Sequence, residues 1–337
     1  MPQRDVVVVG TSAGGIEALK EVVRGLPADF PAAMLVVIHL PPESPGLVPQ
    51  ILARVAALPV AHGSDGEELR RGRVYVAPAD AHMVVDGNHV RLVRGPRENL
   101  HRPAADPLFR SAAVSHGPRV IGVVLTGALD DGTAGLRAVK RRGGLTVVQD
   151  PADASYPSMP ESALRNGRVD YCVPLSEIAP LLDRLTREPV SAPEEPAPED
   201  MKMEIGMAAM DSSEDKLDRI GNRSTFTCPE CRGTLWEMNE EGGLRFRCHV
   251  GHAYGAETLI SSQADGLEEA LWAAVRGFEE NAKLTARMAE RSRVQGQSEV
   301  GERFARRAEM ARQHADQIRG LLERIEVLTE PAVRRGS

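Results

Sequence analysis

Cysteine is scarce: four among 337 residues exclude a disulfide-stapled scaffold and fit a reducing compartment. Long apolar runs are missing too, and none approaches the roughly 18 residues of a membrane-spanning helix. The opening MPQRDVVVVG has no basic segment followed by a long apolar one. Its apolar run is four valines, so no secretory leader is expected and a cytoplasmic location is. A basic surplus is absent as well: 41 Lys and Arg face 48 Asp and Glu, a net charge of −7, which argues against a dedicated nucleic-acid binder. What remains is 42% hydrophobic and 26% charged, a folded, soluble composition. The length accommodates one large domain and one or two small ones, at about 150 residues per domain.

Residues 1–187 read as alternating strands and helices. VVVVG (6–10) is an unbroken β-branched run of the kind buried on both faces of a sheet, and AMLVVIHL (33–40) is another. IEALKEVVRGL (16–26) lies between them with helical spacing, so the three make a βαβ unit and imply a parallel sheet. Further strands are predicted at 73–78, 119–127 and 144–150, a β-hairpin at 83–94 around Asp-Gly-Asn, and a glycine-ended helix at 135–143. The predicted fold class is α/β, a doubly wound, mostly parallel sheet. Cys172 is expected to be a buried core thiol. Residues 188–225 begin EPVSAPEEPAPED and read as a flexible acidic, proline-rich linker, with MKMEIGMAAM (201–210) a transient helix or docking segment. Residues 226–260 form a small Cys/His module. Residues 264–330 look helical. Leu271, Val275, Phe278, Ala282, Thr285 and Ala289 make one stripe. Phe304, Ala308, Ala311, Ala315, Ile318, Leu322 and Ile325 step by three and four, a coiled-coil period. With a turn at Gln295–Ser298 this predicts an antiparallel helical hairpin, whose alanine-rich seam can also serve a homodimer.

Three strand ends carry candidate chemistry. VVVVGTSAGG puts Ser12 in a glycine-rich turn at the carboxyl end of a strand, beside a helix N-terminus whose free N–H groups hold an oxyanion or a phosphate. Such a turn serves either a nucleophile or a bound nucleotide. Its spacing is neither the dinucleotide G-x-G-x-x-G nor a P-loop. The second strand ends in His39 where a dinucleotide fold wants an acid, and an imidazole there can take the proton of Ser12. The run VVLTGALDDGTAG (123–135) supplies Asp130 and Asp131: one can orient the imidazole, and one can cap the next helix. The rivals to a hydrolase are a nucleotide-binding regulatory domain and a non-catalytic scaffold in a sensory pathway.

GTSAGG (10–15), VVIHLPP (36–42), VYVAPADAHM (74–83), the 103–113 run, VLTGALDDGTAGL (124–136) and VVQDPADASYPSMPESAL (147–164) together resemble the catalytic domain of the CheB-type chemotaxis receptor methylesterases. The resemblance covers about residues 4–185. It places the catalytic groups on Ser12, His39 and Asp131. It implies hydrolysis of glutamyl γ-methyl esters on methyl-accepting chemotaxis receptors or related sensory proteins, with release of methanol and no cofactor for catalysis, and in many relatives deamidation of receptor glutamines. Backbone N–H groups at Ala128 and Ala13 are the expected oxyanion donors, and Met159, in the loop 158–163, is expected either against the methyl ester or in a plain loop contact. Well-known members carry an N-terminal receiver domain. Here the catalytic strand begins at Asp5, so control is expected from a separate receiver protein or from the C-terminal region. Ala13 stands where many relatives have a hydroxyl residue.

In the C-terminal module, Cys228-x2-Cys231 and Cys248-x3-His252 are two ligand pairs with the spacing of a structural zinc ribbon, with strands predicted at LWEM and LRFRC. His249 is the alternative fourth ligand, less favourable because it adjoins Cys248. The rival reading is ordinary buried cysteines in a reduced protein.

Overall fold

The computed structural model describes residues 2–190, 196–239 and 242–329, with side chains as far as residue 324. The side chain of Ile325 of the predicted stripe and residues 191–195 of the predicted linker lie outside what is described. The chain divides into two compact units, Met1–Leu259 and Ile260–Ser337.

The first unit begins with β1 (Val6–Thr11), α1 (Gly15–Gly25), β2 (Ala33–Ile38), α2 (Val48–Ala53), β3 (Val60–His62) and β4 (Arg73–Val76). The hairpin strands β5 (His82–Asp86) and β6 (His89–Val93) follow, then α3 (Ala105–His116), β7 (Val120–Val124), α4 (Thr133–Arg141), β8 (Leu145–Gln149), α5 (Ser158–Asn166), β9 (Tyr171–Val173) and α6 (Leu175–Arg187). Seven strands form one parallel sheet in the order β3-β4-β2-β1-β7-β8-β9. The valine run explains itself through the pleat. Val7 and Val9 face a core shared with Leu19, Val22 and Val23 of α1 and Leu182 and Leu185 of α6. Val6 and Val8 face the opposite core, with Phe109 of α3 and Leu136 of α4. Helices cover both faces, so the strand is apolar at every position. The chain leaves β1 toward β2 on one side and reaches β7 on the other. The carboxyl ends of β1 and β7 therefore form a topological switch point, where open α/β sheets place their sites.

The α/β fold read from the sequence holds, but Cys172 is exposed. It sits on β9, an edge strand with a neighbour on one side only.

The linker reading does not hold beyond residue 198. Glu199–Ala208 forms α7 and Glu214–Ile220 forms α8, followed by β10 (Gly221–Thr227), β11 (Thr234–Met238), β12 (Arg245–Cys248) and β13 (Ala253–Gly255). The last four make an antiparallel sheet in that order. Met201, Met207 and Leu217 are buried. The physical reason for the difference is a buried ion network that the local pattern does not reveal. Glu204 of α7 accepts from Arg245 at 2.5 Å and Arg247 at 3.2 Å, and lies 3.4 Å from Arg110 of α3. Glu98, before α3, accepts from Arg110 at 2.8 Å and from Arg247 at 2.8 Å. Burial alone would raise the pKa of Glu98, but the guanidinium groups of Arg110, Arg247 and Arg245 hold it at about 2. The network bolts the Cys/His module onto the large sheet domain, which is why the two belong to one compact unit.

The second unit holds α9 (Ala256–Val294) from Ile260 onward and α10 (Ser298–Thr329). Gly296, at φ 77°, turns the chain between them. Val275, Ala282, Thr285, Ala289, Ala308, Ala311, Ala315 and Leu322 of the predicted stripes are buried. The Phe278 and His314 rings meet edge to face at 5.2 Å. No described helix is long and apolar enough to cross a membrane.

Candidate active site

The strand order places β1 between β2 and β7, so the turn after β1 is flanked by the ends of both neighbours. Backbone hydrogen bonds tie the three together: Ser12 N–H donates to Thr126 at 3.1 Å and His39 N–H to Thr11 at 3.2 Å. The Thr11 hydroxyl donates to the Thr126 carbonyl at 2.7 Å. This fixes Ser12 with His39 on one side and the 126–131 loop on the other.

The side chains then form a chain of contacts. His39 Nδ1 lies 3.1 Å from Ser12 Oγ, and its Nε2 lies 2.7 Å from Asp131 Oδ2. A carboxylate only accepts, so Nε2 carries the proton and donates to Asp131, leaving Nδ1 free to accept from the serine hydroxyl. The ring presents the opposite nitrogens to those of the serine-protease arrangement, and either nitrogen serves as a base. The His39 and Asp131 side chains are 5% and 2% exposed, while Ser12 is half-buried.

Asp131 is anchored on four sides. Besides His39, its Oδ2 accepts the Ala105 N–H at 2.6 Å. Its Oδ1 accepts from Asn99 Nδ2 at 2.9 Å and from the Asp106 N–H at 3.2 Å. Ala105 and Asp106 open α3, whose own cap residue, Ala104, offers no side-chain acceptor. Asp131 thus caps that helix from a distant loop, at its positive end. Burial alone would raise its pKa. The hydrogen bond and charge of His39, with Ala105 N–H and Asn99, hold it well below the ordinary carboxylate range. Neighbouring Asp106 is pushed the other way, up to about 7, by burial and by the charge of Asp131. Asp130, the other candidate, points away from His39. It accepts from Glu257 N–H at 3.1 Å and from the Thr258 hydroxyl.

Two contributors had no signal of their own in the sequence. Asn99 joins Asp131 to Asp106, donating to both at 2.9 Å. His101 stacks on His39 with centroids 3.6 Å apart and planes 17° from parallel. Burial and the nearby His39 lower its pKa to about 4. At neutral pH it is an uncharged aromatic face against the imidazole, suited to meet a developing imidazolium. The only sequence hint was their place just before the 103–113 segment.

Met159 is fully buried, at the start of α5, so it lies on a helix and not in a loop. It packs behind Gly127, where an added Cβ would lie 2.1 Å from its sulfur and 2.9 Å from Ser12 Cβ. Met159 and Ser12 thus share the wall at Gly127. Around the serine, the N–H groups of Ser12, Gly127 and Leu129 donate to Thr126, Tyr156 and the Ser158 hydroxyl. Those of Ala13 and Ala128 have no protein partner among the described residues.

Cys228 Sγ, Cys231 Sγ, Cys248 Sγ and His252 Nδ1 all lie within 4.8 Å of one another. Cys231 and Cys248 are 3.5 Å apart, too far for a disulfide bond of about 2.05 Å. His252 turns its Nε2 toward Glu230, 3.4 Å away. His249 is exposed and outside the group.

A hydroxyl, an imidazole and a buried carboxylate in series, at the switch point of a parallel sheet, are the arrangement of serine hydrolases as a class. Residues 7–182, just over half of the chain, match the family model described as CheB methylesterase. The chain belongs to the CheB methylesterase family, and with it to the carboxyl-ester hydrolases. A relative from Leptospira interrogans is 38% identical over 182 residues, 54% of this chain and 94% of that protein. The protein-glutamate methylesterase/protein-glutamine glutaminase 2 of Anaeromyxobacter dehalogenans is 42% identical over 183 residues, which span 54% of each chain. The crystal structure of the Thermotoga maritima CheB methylesterase catalytic domain is 34% identical, with a TM-score of 0.52 over 55% of this chain and 99% of that one. Nothing in these likenesses supports the nucleotide-binding or scaffold alternatives.

Proposed function

We propose that the chain is a protein-glutamate methylesterase that removes γ-methyl esters from chemotaxis receptors or related sensory proteins by Ser-His-Asp catalysis. The observation that carries this reading is the imidazole of His39 bridging Ser12 and Asp131. His39 Nδ1 takes the proton of Ser12 as Oγ bonds to the ester carbonyl carbon. Asp131 holds the imidazolium in place, and the π face of His101 lies against it. The N–H groups of Ala128 and Ala13 are the donors for the oxyanion; removing one such donor lowers a rate by about 10²–10³. Collapse breaks the carbon–oxygen bond and methanol leaves with the proton from Nδ1. Water, activated by the same nitrogen, then frees the glutamate carboxylate and restores Ser12. A glutamine amide follows the same steps with ammonia leaving. The half-buried serine suits a side chain presented by a large, folded substrate.

The Cys/His group fits a structural zinc. Three thiols and one imidazole nitrogen converge at tetrahedral-site spacing, and Glu230 orients the far nitrogen of His252, as outer carboxylates do for ligating histidines. Bound there, zinc would cross-link the two knuckles and take no part in ester chemistry. About one zinc per chain is expected by elemental analysis, lost in Cys228→Ser; a folded, zinc-free wild type would refute the site. A cytoplasmic location, control by a separate receiver-domain protein and self-association through α9 and α10 complete the reading. The function is tested by incubating purified protein with membranes bearing methyl-labelled receptors. Methanol release by wild type and none by Ser12→Ala is expected; equal release by both, or by neither, would overturn it.

A further inference from the structure

We propose that the Cys/His module is a positioning element of the esterase, acting through the four-residue loop Glu98–His101. The proposal rests on reading Ser12, His39 and Asp131 as the reacting groups.

Each residue of the loop has one foot in the module or the other in the site. Glu98 is bound by Arg247 of β12. Asn99 donates its N–H to the Ala253 carbonyl at 2.7 Å, and its side-chain oxygen accepts the Gly255 N–H at 2.8 Å. The same amide donates through Nδ2 to Asp131. Leu100 packs against the cluster containing Cys228, Cys248 and Tyr254. His101 then lies on His39. Asn99 and Leu100 hold φ values of 50° and 67°, two consecutive left-handed residues that are not glycine. A loop in that conformation keeps it only where its surroundings over-determine it, and here the surroundings are β12 and β13.

A second strut runs in parallel. The Glu257 N–H and Thr258 hydroxyl, at the start of α9, bind Asp130, the residue next to Asp131. The approach is so close that a Cβ on Gly255 would fall 2.0 Å from the Asp130 carboxylate. His252, one of the four converging ligand-type side chains, precedes β13 directly. Seating β13 therefore seats both the carboxylate that holds His39 and the ring stacked on it. Asn99 is a positioning residue: it touches Asp131, not substrate.

The test uses the full chain and module-side substitutions that leave Ser12, His39 and Asp131 unsubstituted. Gly255→Ala pushes β13 off Asp130, and Thr258→Val removes one hydroxyl while keeping the shape. Each is read by kcat and KM on a small methyl or aryl ester, and by the downfield proton resonance of the His39–Asp131 hydrogen bond. Misplacing a catalytic group by about 1 Å lowers rates by up to about 10²-fold, so Gly255→Ala is expected to lose about ten- to a hundredfold in kcat at unchanged KM, with the resonance broadened or lost. Thr258→Val should move both readouts the same way by a smaller factor, about threefold. Where Gly255→Ala does not fold, Thr258→Val decides. A folded variant of either kind with wild-type kcat and an intact resonance would overturn the proposal. Should a serine-directed probe fail to label Ser12 in the wild type, the hydrolase reading itself falls; labelling with unchanged variants sinks only the module's role.

Discussion

At the tips of the large sheet, three side chains meet although 27 residues separate Ser12 from His39 and 92 separate His39 from Asp131. In the Cys/His module, four side chains meet within a span of 24 residues, from Cys228 to His252. The first convergence depends on strand order: β1 must lie between β2 and β7. The second depends on two knuckles joined by a short antiparallel sheet. One site is thus made by global topology and leaves its serine half-exposed for a substrate. The other is made by local spacing and closes on itself. On the roles proposed for them, the comparison separates what a reacting site needs, three groups in series with one end open, from what a structural metal site needs, a complete shell.

That contrast can be broken in order of expected effect. His39→Ala should lower kcat by about 10⁶ and Asp131→Asn by about 10⁴, the sizes seen when a triad loses its base or its orienting acid, while changing KM little. A loss in Asp131→Asn of less than about tenfold would detach that carboxylate from the mechanism. Gly127→Ala drives a methyl into Met159 and Ser12 and should lower kcat by about 10², with partial recovery in the double variant with Met159→Ala. Additive losses in that pair would deny the contact between them. In the module, the proposed zinc predicts that Cys228→Ser loses the metal and lowers the melting temperature, and that serine-probe labelling is slowed but not abolished. An unaltered melt would make the cluster an assembly of ordinary thiols.

A further effect is a pH dependence of stability, read apart from the losses in rate. His101 takes a proton near pH 6.5 when unfolded and only near 4 in the folded chain. Between those values the unfolded state binds the extra proton, so acidification through this window removes stability, up to about 3 kcal/mol at 1.36 kcal/mol per unit. His101→Phe keeps the stacked ring and should flatten that part of the stability curve, measured by denaturant melts at pH 7 and pH 4. A variant curve as steep as the wild type would assign the acid loss to other groups.

Much of the sheet was legible because its strands are apolar at every position or punctuated by glycine, as VVVVG and VVLTG are. Ser12, His39 and the Asp130–Asp131 pair were legible as strand-end chemistry, and the resemblance chose Asp131. Asn99 and His101 were not, because their contacts arise from two left-handed residues and from the packing of β13, neither of which has a period. The 199–225 segment misled for a related reason. Glu204 lay in a segment read as a flexible linker, yet it is buried against Arg245, 41 residues further along the sequence. Cys172 misled because an apolar neighbourhood in sequence says nothing about whether its strand lies at a sheet's edge.

The central claim is that His39 makes Ser12 a nucleophile. Mass spectrometry after exposure to a fluorophosphonate tests it most directly. One adduct on Ser12, absent in Ser12→Ala and strongly reduced in His39→Ala, is the predicted result. No adduct, an adduct on another residue, or labelling of Ser12 indifferent to His39 would contradict it.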